Sequence, residues 1–151
     1  MVNDHNRFLI HSFAREYSSR SLSRSHTQDS LAESDKIILE VAKILREDFL
    51  QQNGFTDYDR FCPFYKTSGM LKNIILFYNL CQRAVESTAQ SDNKITLAII
   101  KTRLNDLIYK ITSMKFELPS EGQEVVEAHF AELREEIEQA FRQLEEAHSR
   151  V

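Results

Sequence analysis

The stretch QQNGFTDYDRFCPFYKT, from Gln51 to Thr67, interrupts an otherwise regular pattern and marks where one helix ends and the next begins. On either side of it, apolar and charged residues alternate at helical spacing. Inside it stand five aromatics (Phe55, Tyr58, Phe61, Phe64 and Tyr65) together with Gly54 and Pro63. Gly and Pro punctuate local structure, so the stretch reads as a connection of about ten residues, long for a helical bundle. The fixed φ of Pro63 suits the first position of a following helix. Two readings of the rings stay open. Either Tyr58, Phe61, Phe64 and Tyr65 plug the end of a bundle, or a ring beside Gly54 stacks on a flat ligand such as adenine. Gly54 permits a turn with φ > 0 and leaves room for a ligand to approach Phe55.

Working outward, the residues upstream predict a helix over 34–52. Its stripe is Ile37, Ile38, Val41, Ile44, Leu45 and Phe49, and Ser30 or Ser34 can cap it. Downstream, a second helix runs from Pro63 to about Ser87, with Leu71, Ile74, Tyr78, Cys81 and Val85 at alternating steps of three and four. A third starts near Asp92, a plausible N-cap, and carries Ile100, Leu104, Leu107, Ile111 and Met114. Pro119 and Gly122 break the chain. A fourth, over 121–148, places Val126, Phe130, Leu133, Ile137, Ala140 and Leu144 on one seam. Each segment is apolar on one face, so none is stable alone in water. Together they predict an all-α fold, a small bundle of about four main helices. With only 3 Gly and 2 Pro, few tight turns are available for a β-sandwich.

The first residues have a different composition. SSRSLSRSHTQDS, from Ser18 to Ser30, contains one large apolar residue, Leu22, and cannot bury enough surface to offset chain entropy. Residues 1–29 therefore read as a disordered Ser/Arg-rich leader, and residues 30–151 as one helical domain. Phe8, Leu9, Ile10 and Phe13 have the length for one or two helical turns. Arg7, Arg15, Arg20 and Arg24 hint at a mitochondrial presequence, against which Asp4 and Glu16 argue.

A hydrophobic content of 42% supports a modest core. The formal charge of −4, with pI near 5.7, leaves no electrostatic footprint for nucleic acid. No apolar run approaches the length of about 20 residues needed to span a bilayer, so direct membrane insertion is not expected. Cys62 and Cys81 lack the Cys or His spacing of a zinc site and read as two reduced, buried thiols. All five His lie outside the three central helices, and no Ser-His or Cys-His pair has local support. The phosphate loop GxxxxGK[ST] is absent from the sequence. Asp57 and Asp59 read as turn formers. No catalytic residue and no metal ligand is assigned. The acidic outer face of the last helix (Glu124, Glu127, Glu132, Glu135 and Glu138 among others) reads as a solvated surface, or else as a partner-binding edge.

One long run decides between the open readings. EVAKILREDFLQQNGFTDYDRFCPFYKTSGMLKNIILFYNLCQRAVESTAQSDNKIT, from Glu40 to Thr96, closely resembles the C-terminal region of the catalytic A subunit of vacuolar-type proton ATPases. SLAESDKI, IIKTRLNDLIYKITSMKF and the final acidic helix resemble their counterparts there, so the likeness extends from about Ser30 to Leu144. The blocks DFLQQNGF, DRFCPFYKT and TAQSDNKIT are its most specific parts. The resemblance implies a helical domain at the base of the protein, following a β-barrel domain and an α/β nucleotide-binding domain. It also implies that Phe55 is the ring packed against adenine, with Phe49 and Gln52 as flanking wall positions. ATP and Mg would belong to the complete subunit, with none held by this chain alone. The implied partners are the central stalk subunits and the B subunit of a hetero-oligomeric peripheral sector. Its implied location is the cytoplasmic face of vacuolar or other endomembranes.

The departures are equally specific. The P-loop, catalytic Glu and Walker B strand of that family are missing, and residues 1–29 do not look like its preceding segment. The chain thus reads as a fragment, a partial gene product or a divergent truncated paralogue, not expected to hydrolyse ATP alone. The alternative is a non-catalytic interaction module that binds other ATPase subunits.

Overall fold

The structure, a computed structural model, describes residues 32–149. The expected leader, residues 1–29, and the Ser30 cap lie outside the described residues. Helix α1 spans Glu33–Ile44 and continues through a wider π-helical turn, Leu45–Leu50. Helix α2 spans Phe64–Ser87, α3 Leu97–Arg103, α4 Asn105–Ser113 and α5 Gln123–Ser149. Two 3-10 turns, Met114–Phe116 and Pro119–Glu121, link α4 to α5. The described residues form helices and loops only, as an all-α bundle requires, and no helix among them is long and apolar enough to cross a membrane.

Several boundaries differ from expectation, each for a local reason. Ser34 lies inside α1, and Ala32 holds the N-cap without a side-chain hydrogen bond. Glu33 and Asp35 in the first turn instead complement the positive end of the helix dipole. Pro63 takes the N-cap of α2 rather than the first helical position. The third helix begins later than Asp92, because Thr96 is the residue that caps it. The Thr96 hydroxyl accepts from the Ile99 N–H at 3.4 Å, and the Glu33 carboxylate accepts from the Leu97 N–H at 2.8 Å. The segment expected as one helix is also broken at Leu104, whose backbone (φ −112, ψ 26) leaves the helical region between α3 and α4. Gly122, at φ 95, supplies the left-handed turn into α5.

Helix α2 lies between α1 and α5, with α3 and α4 closing the remaining side. Being covered on two faces, it buries a wider band than a single stripe. Met70, Ile74, Phe77, Leu80, Cys81 and Ala84 are buried, whereas Tyr78 and Val85 of the expected stripe are only partly so. On α5 the expected Val126, Phe130, Leu133, Ile137 and Leu144 are buried, but Phe141 replaces Ala140 as the deeper residue. Its ring meets Phe77 edge-on, centroids 5.9 Å apart. The two helices approach closely at Gly69, where a Cβ would lie 2.3 Å from Cδ2 of Phe130. One turn on, the fully buried Asn73 donates to the Phe130 carbonyl at 3.0 Å and accepts from Arg134 Nε at 3.2 Å. The buried amide of the α2–α5 contact is thereby satisfied at both ends.

Candidate functional site

The connection between α1 and α2 is shaped by polar side chains that stand in for missing helical hydrogen bonds. The Phe55 N–H donates to Asn53 Oδ1 at 3.1 Å, an Asx turn, and the Asn53 N–H donates to Asp59 Oδ2 at 2.9 Å. The Thr56 N–H and hydroxyl both donate to the Asn53 carbonyl, and the Arg60 N–H to the Thr56 carbonyl at 2.8 Å. Asp59 is a turn former, as its position in the sequence implied. Gly54 does not use its conformational freedom, because Gly122 alone among the described glycines has positive φ. Gly54 contributes space instead: a Cβ there would meet nothing within 4 Å.

These turns hold Phe55 outward, 92% exposed. Gln52 is exposed beside it and lines the same open concavity, together with Asp48, Asn53, Tyr58 and Lys115. Phe49 is not part of that rim. It is half-buried and packs against the core from the last turn of α1. The structure thus places Phe55 and one of its two expected flanking residues, Gln52, on one concavity and leaves the other, Phe49, off it.

The other rings divide. Tyr58 meets Phe116 edge-on with centroids 5.0 Å apart, and the Tyr65 hydroxyl donates to the Pro119 carbonyl at 3.3 Å. Both therefore pin the loop, as a plug would. Phe61 and Phe64 do not, being 69% and 60% exposed. Tyr65 and Lys66 occupy the inward positions at the start of α2 and leave Phe64 facing out. Cys62 is likewise only half-buried, its sulfur 3.4 Å from the Thr67 hydroxyl. Cys81 is fully buried, and burial pushes its thiol far up, which leaves it unreactive.

Lys66 is the residue that sequence reasoning missed. It is fully buried, and its ammonium donates to the Tyr58 carbonyl at 2.6 Å and to the Lys115 carbonyl at 2.7 Å. Desolvation lowers its pKa, against the pull of Cys62, Asp59 and Glu117. The signal was its register: 66, 70, 73, 77 and 84 share one buried face of α2. Lys115, in turn, pairs with Asp48 at 2.7 Å.

The charges on the concavity are largely paired. Of the carboxylates that line it, Glu47 pairs with Arg46 at 2.8 Å, Asp48 pairs with Lys115 at 2.7 Å, and Asp59 attracts the buried Lys66 ammonium. The lysine on its lining is thus already engaged by a carboxylate, whereas a flat ring has Phe55 to stack on and side-chain amides at Gln52 and Asn53 to bond. A second cluster lies at the far side of the 3-10 link. Donor atoms of Glu117, Glu121 and His129 fall within 4.8 Å of one another, and His129 Nδ1 is 3.0 Å from Glu117 Oε2. The hydrogen bond to Glu117 raises the imidazole pKa, with Glu121 and Glu132 adding to it and slight desolvation opposing.

Comparison with known proteins identifies the family. Residues 7–95 match the family described as the C-terminal domain of V and A type ATP synthase. The match takes in α1, the loop and the whole of α2, and begins within the Ser/Arg-rich first 29 residues. The chain is 59% identical over 118 residues to the catalytic A subunit of the V-type proton ATPase of Caenorhabditis elegans, covering 78% of this chain and 20% of that protein. It is 56% identical over 122 residues to isoform 1 of the same protein from Acetabularia acetabulum, and 56% identical over 118 residues to isoform 2 from Drosophila melanogaster. Those matches cover 79% and 78% of this chain and 20% and 19% of the respective relatives. The chain therefore spans about a fifth of the length of the curated relatives it matches. With residues 7–95 matched by its model and these relatives at 56–59% identity, the chain belongs to the family of C-terminal domains of V- and A-type ATP synthases.

Proposed function

We propose that this chain serves as the C-terminal helical part of the catalytic A subunit of a proton-transporting V-type ATPase, and that Phe55 packs against the adenine of ATP. The observation that carries the reading is a single ring, 92% exposed, held out by an Asx turn beside an unobstructed glycine. Leaving an aromatic that size in water serves no packing purpose, and a stacked base would cover it. Gln52 supplies a polar wall on the same concavity, and Phe49 acts from behind by anchoring the end of α1. Because Asp48 already engages the lysine that lines the concavity, the region suits the base rather than the phosphates. Phosphates and Mg are held by other parts of the complete subunit, which supply the positioning and charge stabilisation of phosphoryl transfer. The partners are the central stalk subunits and the B subunit, in a peripheral sector on the cytoplasmic face of vacuolar or other endomembranes.

The test replaces the matching segment of the catalytic A subunit in an assembled V-type ATPase with residues 32–149 of this chain, which keep the Ala32 and Glu33 caps and the whole of α5. With Phe55→Ala in that segment, KM for ATP should rise by roughly 5- to 150-fold, the loss of one stacked base, at about 1–3 kcal/mol. The kcat should change little, because the ring contacts substrate and transition state equally. An unchanged KM would remove the stacking role.

A further inference from the structure

We infer that Lys66 is a positioning residue for the Phe55 ring, fastening the loop that carries it to the 3-10 turn that follows α4. This rests on the adenine-facing reading of Phe55. The argument starts from cost. Burying a lysine ammonium is expensive, and an apolar side chain of similar volume is often as good or better for stability alone. At Lys66 the charge is retained at the head of the buried face of α2, and its two partners are both main-chain carbonyls of irregular segments. One belongs to Tyr58, within the turns that hold Phe55. The other belongs to Lys115, in the 3-10 turn Met114–Phe116. A flexible ammonium with three donors suits carbonyls that no regular helix or sheet brings together.

The contacts around it close into a ring of fasteners. Lys115 reaches Asp48 at the end of α1, and the Phe116 ring meets Tyr58 edge-on. Lys66 and Phe116 therefore converge on Tyr58, gripping it through its carbonyl and its ring together. The grip lies three residues beyond Phe55, inside the set of hydrogen bonds from Asn53 to Arg60. It leaves Phe55 itself free of packing contacts that a base would have to displace, while removing the loop motion that would otherwise be lost on binding.

Amide hydrogen exchange on the full chain tests the fastening without nucleotide. Lys66→Met should speed exchange at Asn53, Phe55, Thr56, Asp59 and Arg60 by about tenfold or more, with amides of mid-α2 such as Phe77 unchanged. Equal acceleration in both places would reduce Lys66 to a general stabiliser, and no acceleration in the loop would overturn the inference. In the assembled enzyme carrying residues 32–149, Lys66→Met should raise KM for ATP with kcat retained, and should add nothing in a Phe55→Ala background. Additive effects would show that Lys66 acts elsewhere. If Phe55→Ala alone leaves KM unchanged, the adenine reading fails, and the exchange result still decides whether Lys66 fastens the loop. If the methionine variant does not fold, Phe116→Ala tests the same grip from the Tyr58 ring, with the same localised acceleration expected.

Discussion

The seam between α2 and α5 and the loop between α1 and α2 hold their residues in place by opposite means. In the seam, position follows from shape: Phe77 against Phe141, and Phe130 over the bare backbone at Gly69. Its polar group, Asn73 with Arg134 and the Phe130 carbonyl, is subordinate to that packing. In the loop, position follows from hydrogen bonds donated to carbonyls and carboxylates, and the most exposed ring, Phe55, touches water. The difference teaches how a small helical domain can offer an exposed ring in a fixed place. Apolar packing cannot do it without burying the ring, so polar fasteners hold the backbone and leave the side chain free.

The comparison breaks most readily at its largest contrast. Phe141→Ala should cost about 3–5 kcal/mol of unfolding free energy, since it removes a fully buried ring from the seam. Phe55→Ala, the same chemical change on an exposed ring, should stay within about 0.5 kcal/mol of the parent chain. Denaturant unfolding of the two variants measures both. If Phe55→Ala costs as much as Phe141→Ala, the loop ring is structural and the contrast is lost.

Gly69→Ala gives a smaller effect and a sharper test of shape. The new methyl would sit 2.3 Å from the Phe130 ring, so the ring or the helix must shift. Overpacking of this kind costs roughly 1–3 kcal/mol. Gly54→Ala is the matched control in the loop, where a Cβ meets open space at ordinary φ. It should be neutral or slightly stabilising, by up to about 1 kcal/mol, because alanine has less freedom to lose on folding. Parallel unfolding curves for the pair check the sign of each.

The same contrast explains what could be read in the sequence. Helical periodicity located α1, α2, α5 and most of the buried residues, since it reports how apolar faces meet. The resemblance carried by QQNGF singled out Phe55, and the structure leaves that ring exposed. Periodicity failed where position depends on partners distant in the chain. Lys66 has the register of a buried residue and the chemistry of a solvated one, and only the carbonyls of Tyr58 and Lys115 resolve the conflict. Phe61 and Phe64 failed in the reverse sense: apolar by chemistry, they are turned outward ahead of and at the start of α2. The start of α3 was misplaced because half of its cap, Glu33, comes from another helix. The break at Leu104 carries no Gly or Pro to announce it.

The smallest effect concerns the link that Lys66 grips from one side. On its other side that link is held to α5 by Glu117 and His129, 3.0 Å apart and exposed. Because the Glu117 hydrogen bond raises the His129 pKa, the folded state holds the proton more tightly than the unfolded chain does. The pair's contribution is therefore complete below the ordinary imidazole value of about 6.5, and is lost as pH rises through the higher folded value. Nuclear magnetic resonance titration of His129 should find its midpoint above that ordinary value, and Glu117→Gln should bring it down toward it. Glu121 and Glu132 also face the ring, so some elevation should survive the substitution. A midpoint in the parent chain at or below the ordinary value would mean that the link is held on the Lys66 side alone. Exchange at the Glu117 amide, which donates to the Met114 carbonyl, should then show no dependence on His129 ionisation beyond the intrinsic pH effect.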